Sequence, residues 1–167
     1  FHKYTYTLLV TSLPPEGADY SNTRLHRDRG WCFFEQAASM VVKNAWCLLD
    51  FAAYKGATEW GRLGDDDEGD TCLGQMKAGR SPPVSPAIFG DRLRSGVASG
   101  AVKFTAKADE EFVIGQYDKG FVETINFIAA KEDGNARVLY FTDLGWGDVE
   151  AAELLEALKY AAARCTF

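Results

Sequence analysis

Histidine is the scarcest reactive side chain in this sequence, with only His2 and His26 present. The four cysteines form no Cys-x-x-Cys pair and lie far apart, at Cys32, Cys47, Cys72 and Cys165. A local zinc motif cannot be assembled from such residues, so no metal is expected. Cys32 and Cys47 fall in apolar segments, where buried free thiols are usual. We therefore expect a reduced, intracellular protein, cytoplasmic or organellar.

The sequence also lacks a long apolar run, a phosphate-binding loop and a hydrolase nucleophile elbow. No run approaches the ~20 residues that a membrane span needs, and no signal peptide is recognised. The formal charge of −6 argues against nucleic acid as a partner. The composition, 47% hydrophobic and 25% charged, is that of a globular chain. Its 167 residues fit a single domain, and we expect that domain to be a piece of a larger protein.

Strand-like and helical patterns alternate four times along the chain. Strands are predicted at residues 4–11, 45–51, 101–105 and 136–142, and helices at 31–44, 86–94, 109–130 and 148–163. The run at 45–51 is continuously apolar, as in a strand buried on both faces. This order predicts right-handed crossovers. The expected fold class is α/β, a three-layer domain whose mostly parallel sheet has flanking helices.

Residues 52–86 interrupt the alternation with six glycines at 56–79, three prolines at 82–86 and the acidic run Asp65-Asp66-Asp67-Glu68. The acidic run lacks the alternating ligand spacing of an EF-hand loop. We expect a flexible, solvated insertion without regular structure at residues 56–81.

A cation-rich loop follows the first strand and leads into the segment Arg29-Gly-Trp-Cys-Phe-Phe-Glu35. Ligands of open α/β sheets gather beyond the carboxyl ends of strands, and a helix N-terminus favours anions. A phosphate or nucleotide site is one interpretation, with candidate residues Arg24, His26, Arg27, Arg29 and Trp31. The other interpretation is that the arginines pair with the many acids of the chain.

Glu35 is the candidate acid–base residue, and it too allows two interpretations. In a hydrolase it would lie in a concave pocket near these arginines, partly desolvated and with a raised pKa. In a scaffold its carboxylate would be satisfied by an arginine or by backbone N–H groups.

Tyr20, Ser21 and the run from Trp31 to Glu35 resemble the Tyr…Ser-x-Trp-Cys-x-x-Glu-Leu segment of TIR domains, which are flavodoxin-like signalling modules. The resemblance covers about 45 residues. In TIR domains that cleave NAD, the glutamate four residues after the tryptophan is the catalytic acid. The resemblance therefore implies Glu35 as catalytic acid and NAD as substrate.

Residues 137–164, with Leu139, Leu144, Gly145, Leu154 and Leu158, resemble one unit of the ribonuclease-inhibitor type of leucine-rich repeat. Such a strand–helix unit would have to stack on a neighbour, because it cannot bury its own faces. The whole chain also resembles protist and algal proteins in which a segment like Arg-Gly-Trp-Cys-x-Phe-Glu precedes such repeats.

These observations favour a non-catalytic interaction or scaffold module that binds protein partners or belongs to a larger complex. No cofactor is expected. The alternative is a TIR-like enzyme that hydrolyses NAD or another nucleotide with Glu35 as the acid. A third possibility is nucleotide binding without turnover.

Overall fold

The computed structural model of the chain describes residues 6–13, 15–17, 19, 23–43, 47–61, 71–130, 141 and 144–165. Its strands and α-helices follow in the order β1 (Thr7–Leu9), α1 (Gly30–Val42), β2 (Leu48–Asp50), α2 (Cys72–Met76), α3 (Pro86–Ala98), α4 (Asp109–Ala129) and α5 (Asp148–Arg164). Short 3-10 turns occupy His26–Asp28 and Phe51–Ala53. The protein thus combines helices with a small parallel sheet.

β1 and β2 pair in parallel, with Thr7 opposite Leu48 and Leu9 opposite Asp50. α1 connects the two strands, and the predicted parallel pairing is confirmed for them. Leu48 and Leu49 are both buried. Because successive strand residues point to opposite faces, β2 is covered on both sides, as its apolar run predicted.

The described residues contain these two strands and no others. The predicted strand at 101–105 is wrong: this segment is irregular, and Lys103 forms one isolated bridge with Arg29. Val102 and Phe104 alternate as in a strand, but both pack into the helical core instead. The predicted strand at 136–142 lies outside the described residues except for Phe141, which is in no strand.

An aromatic core holds α1, α3, α4 and α5 together. Phe89 of α3 stacks on Tyr117 of α4, with ring centroids 4.0 Å apart, and the Tyr117 hydroxyl donates to the Val84 carbonyl at 2.8 Å. Burial raises the pKa of Tyr117 strongly. The apolar side chains of α4 form one stripe along the predicted helix, since Val113, Tyr117 and Phe121 are buried and Ile125 and Ile128 pack against them.

The start of α3 follows its sequence signals. The Ser85 side chain accepts a hydrogen bond from the Ile88 amide, and Pro86 occupies the first helical position. The helix continues to Ala98 rather than ending near Arg94, because Leu93 is buried in the core and Val97 packs against it. No helix in the described part of the chain is long and apolar enough to cross a membrane.

The prediction that residues 56–81 lack regular structure is wrong at 72–76, which form α2. Thr71 caps this helix, accepting from the Gly74 amide at 3.1 Å. Cys72 and Met76 are buried against Leu49 of β2, and the Ala78 amide donates to the Leu48 carbonyl at 2.9 Å. Two apolar side chains one helical turn apart suffice to attach this glycine-rich segment to the sheet.

Arg80 lies in the same segment and reaches the end of α1. Its side chain is buried and donates to the Met40 carbonyl from Nε and Nη2, at 3.4 and 3.2 Å, and to the Val41 carbonyl at 3.4 Å. The indole N–H of Trp146 donates to the Arg80 carbonyl at 2.7 Å. Arg80 therefore connects the segment before α3, the last turn of α1 and the approach to α5.

Gly30 opens α1 against the irregular segment that follows α3. Its amide donates to the Lys103 carbonyl at 2.9 Å, and a Cβ at this position would overlap the ring of Phe104. The Phe104 ring therefore occupies the space that a larger side chain at position 30 would need, which favours glycine there.

We predict that Gly30→Ala lowers the free energy of unfolding by about 1–3 kcal/mol, because Phe104 must leave its place. Gly115→Ala is the matched control, since Gly115 lies in α4 with nothing within 4 Å of its Cβ position. It should stabilise the protein by roughly 0.5–1 kcal/mol through helix propensity. Urea unfolding measures both, and equal effects of the two substitutions would contradict the packing described.

Candidate functional site

The segment from Arg29 to Glu35 divides its side chains between core and surface at the start of α1. Phe33 and Phe34 pack against the aromatic core. Trp31 remains at the surface, where its ring contacts Phe104 and Phe112 at centroid distances of 6.5 and 6.2 Å. Its indole N–H donates to Asp109 Oδ2 at 3.1 Å. Trp31 thus tethers α1 to the first turn of α4.

The arginines of the preceding loop do not converge. Arg29 turns back, donating from Nε and Nη2 to the Arg24 carbonyl at 3.0 and 2.8 Å. Arg27 points to solvent with 78% of its side chain exposed, and its Nε lies 3.8 Å from Asp28. Arg29 therefore braces the loop, while Arg27 extends away from it.

His26 packs inside the same loop, at the start of the 3-10 turn. Its Nδ1 is buried and has no hydrogen-bond partner among the described residues. Buried polar atoms normally have a partner, and one without costs about 1–3 kcal/mol.

A pocket of about 470 Å³ opens at the carboxyl end of β1, within the size range of small-molecule sites. Its apolar lining consists of Leu8, Val10, Leu13 and Pro15, and its polar lining consists of Ser12, His26, Arg29 and Cys32. None of the described lining residues is acidic. This is the location that the strand-end rule indicates for an open parallel sheet.

Glu35 lies outside this pocket. The residue is exposed, and its carboxylate makes no hydrogen bond or ion pair within the part of the chain that the structure describes. Both interpretations of Glu35 stay predictions. As the sixth residue of α1, Glu35 is exposed, whereas Phe33 and Phe34 pack against the core.

Cys32 is a candidate nucleophile in the pocket lining, and its environment favours the neutral thiol. Burial raises the pKa of the Cys32 thiol, Glu35 raises it further, and Arg29 partly offsets both. A raised pKa favours the neutral thiol over the nucleophilic thiolate at neutral pH. The four cysteines are free thiols. Among the described residues no group of three His, Cys, Asp or Glu side chains could hold a metal ion.

Of the residues chosen from the sequence, His26 and Arg29 meet at the pocket, whereas Arg24, Arg27, Trp31 and Glu35 do not line it. Sequence reasoning missed the apolar wall, because Leu8 and Val10 read as ordinary strand residues. The signal that could have found them is their alternation with buried Leu9 on a strand whose carboxyl end leads into the cation-rich loop.

No family model, no curated protein and no solved structure matches this chain. The resemblances to TIR domains and to a leucine-rich repeat therefore stay predictions. What the described residues define is a helical protein with a small parallel sheet and a pocket at the end of its first strand.

We predict that Glu35→Gln leaves the free energy of unfolding within about 0.5 kcal/mol of the wild type, because the carboxylate is solvated and unpaired within the described residues. We also predict no Glu35-dependent consumption of NAD. Chromatographic detection of nicotinamide, with Arg27→Gln as the control for loss of a nearby surface charge, measures the second point. Turnover by the wild type that Glu35→Gln abolishes would instead establish the hydrolase.

Proposed function

We propose that this protein is a non-catalytic interaction module that binds a partner protein through the outer face of α5. The observation that carries the proposal is that α5 is apolar on two faces. Ala157 and Ala161 are buried. On a separate, exposed side of the helix Leu155 and Leu158 are 51% and 50% exposed, with Ala151 and Ala162 on the same stripe by helical spacing.

The inner face of α5 is already occupied by the protein's own core. Tyr160 packs edge-on against Phe121 with ring centroids 5.9 Å apart, and its hydroxyl donates to Asp118 Oδ1 at 2.7 Å. Arg92 and Glu153 form a further ion pair between α3 and α5. These contacts fix the rotation of α5, so the outer stripe cannot turn inwards to be buried.

The occupant proposed for the outer stripe is a helix with an apolar face, from a partner protein or from a stacked strand–helix unit. The resemblance of residues 137–164 to a leucine-rich repeat supports this choice, since such units bury a second face against a neighbour. Covering each leucine would contribute roughly 1–2 kcal/mol. Lys159 and Glu156, paired at 2.7 Å beside the stripe, would form part of a polar rim.

We propose the same role over the two nucleotide alternatives because Glu35 and the exposed Arg27 do not line the pocket. The finer architecture, a three-layer domain with residues 136–142 as a further strand, also belongs to this proposal, as does an intracellular location in which the four thiols stay reduced.

The outer face of α5 is tested by photo-crosslinking in the cells that make the protein. A photoreactive residue at position 155 should crosslink to a peptide with an apolar helical face, because that position is inside the stripe. The same residue at position 156, exposed on the neighbouring face, is the matched control and should give little product.

Leu155→Glu combined with Leu158→Glu should weaken binding of the captured partner by about tenfold or more, equivalent to about 1.4 kcal/mol. The unfolding free energy of the isolated protein should change by less than about 1 kcal/mol, because both leucines are half exposed. Equal crosslinking at positions 155 and 156, or binding unaffected by the double substitution, would rule out this face.

A further inference from the structure

We propose that the pocket at the carboxyl end of β1 binds a small organic acid, with its carboxylate at Arg29 and its apolar body against Leu8, Val10 and Leu13. This inference concerns a different surface from α5 and stands independently of the interaction proposed there.

The apolar wall is the first observation. Leu8 lies in β1 and Val10 directly follows the strand, so side chains two residues apart in extended backbone share a face. They are 54% and 59% exposed, whereas Leu9 between them is buried. Leu13 is also exposed and lines the same pocket. These three exposed aliphatic side chains surround one concavity. An apolar ligand group that displaces water from them lowers the free energy of binding.

Arg29 supplies a cation whose orientation is already fixed. Two hydrogen bonds to the Arg24 carbonyl engage Nε and Nη2. Nη1 has no hydrogen-bond partner within the described part of the chain. A guanidinium held in place in this way loses little further side-chain entropy on binding, so its remaining donors suit a carboxylate.

His26 and Ser12 complete the polar lining of the pocket beside Arg29. The Nδ1 atom of His26 is buried, so Arg29 supplies the contact to the carboxylate. Ser12 adds a hydroxyl to the same lining.

Charge decides between a carboxylate and a nucleotide pyrophosphate. Among the described residues of the lining, Arg29 is the one arginine or lysine, and none is acidic. One guanidinium balances a monoanion. A pyrophosphate carries more negative charge and would need Arg24 and Arg27 as well, but Arg27 is exposed beside Asp28 and neither residue lines the pocket. The ligand class that fits is thus a monocarboxylate with a short apolar chain.

Saturation-transfer NMR on the whole chain tests the proposal, with hexanoate as the probe. Hexanol, inorganic phosphate and NAD are the comparison ligands. We expect hexanoate to bind, and hexanol to bind at least tenfold more weakly because it lacks the charge. Phosphate and NAD should not displace hexanoate at equal concentration.

Two substitutions locate the binding. Arg29→Gln should weaken hexanoate binding at least tenfold. Arg27→Gln, which removes the same charge two residues away, should change the affinity for hexanoate less than twofold. Val10→Asp should also weaken hexanoate binding at least tenfold, because the substitution places a like charge on the apolar wall. Since Val10 is more than half exposed, this variant keeps the test valid if Arg29→Gln disturbs the loop.

Three outcomes would overturn the proposal. Equal losses in Arg27→Gln and Arg29→Gln would show general charge attraction. If Val10→Asp leaves hexanoate binding unchanged, the hexanoate site lies elsewhere on the protein. Displacement of hexanoate by phosphate or NAD would show a phosphate site instead of one for an organic acid.

Discussion

The buried guanidinium of Arg80 at the carboxyl end of α1 is the contact on which the rest of the structure depends. The side chain is 4% exposed and donates to the Met40 and Val41 carbonyls, which are among the last carbonyls of α1. A cation is favoured there by the helix dipole. Burial lowers the pKa of Arg80 to about 10, so the group stays charged at neutral pH. Lys43, also buried, brings a second cation to the same helix end, and burial lowers its pKa too.

Through Arg80, three otherwise weakly held segments converge. The glycine-rich segment reaches β2 through Lys77, which bridges Leu49, and through α2. Its next residues bring Arg80 under α1. On the other side, the guanidinium lies over the Phe141 ring at 4.6 Å, and Trp146 binds the Arg80 carbonyl just before α5 begins. The orientation of α5, and with it the outer stripe proposed for a partner, therefore depends on a residue from a segment whose sequence looks disordered.

The helices could be predicted from the sequence because their signals are local. The Ser85–Pro86 start and the Val113–Tyr117–Phe121 stripe each depend on residues within one or two turns. The errors arose where long-range contacts decide. Val102 and Phe104 alternate like strand residues, but the space beside Gly30 draws Phe104 into the helical core. Likewise, nothing local indicates that Arg80 meets carbonyls 40 positions earlier. At the pocket, charge and the position at a strand end sufficed to find His26 and Arg29. Glu35 does not line the pocket, because α1 carries its side chain on an exposed face.

Hydrogen exchange of the Arg80→Met variant tests this central claim most directly, with Arg92→Met as the control because Arg92 pairs with Glu153 at the surface. Loss of the Arg80 donors leaves buried carbonyls unpaired, at a cost of about 1–3 kcal/mol. We expect exchange to quicken about tenfold or more at the end of α1, in α2 and at the start of α5 together, with no such change in Arg92→Met. Faster exchange confined to the residues next to position 80 would contradict the account.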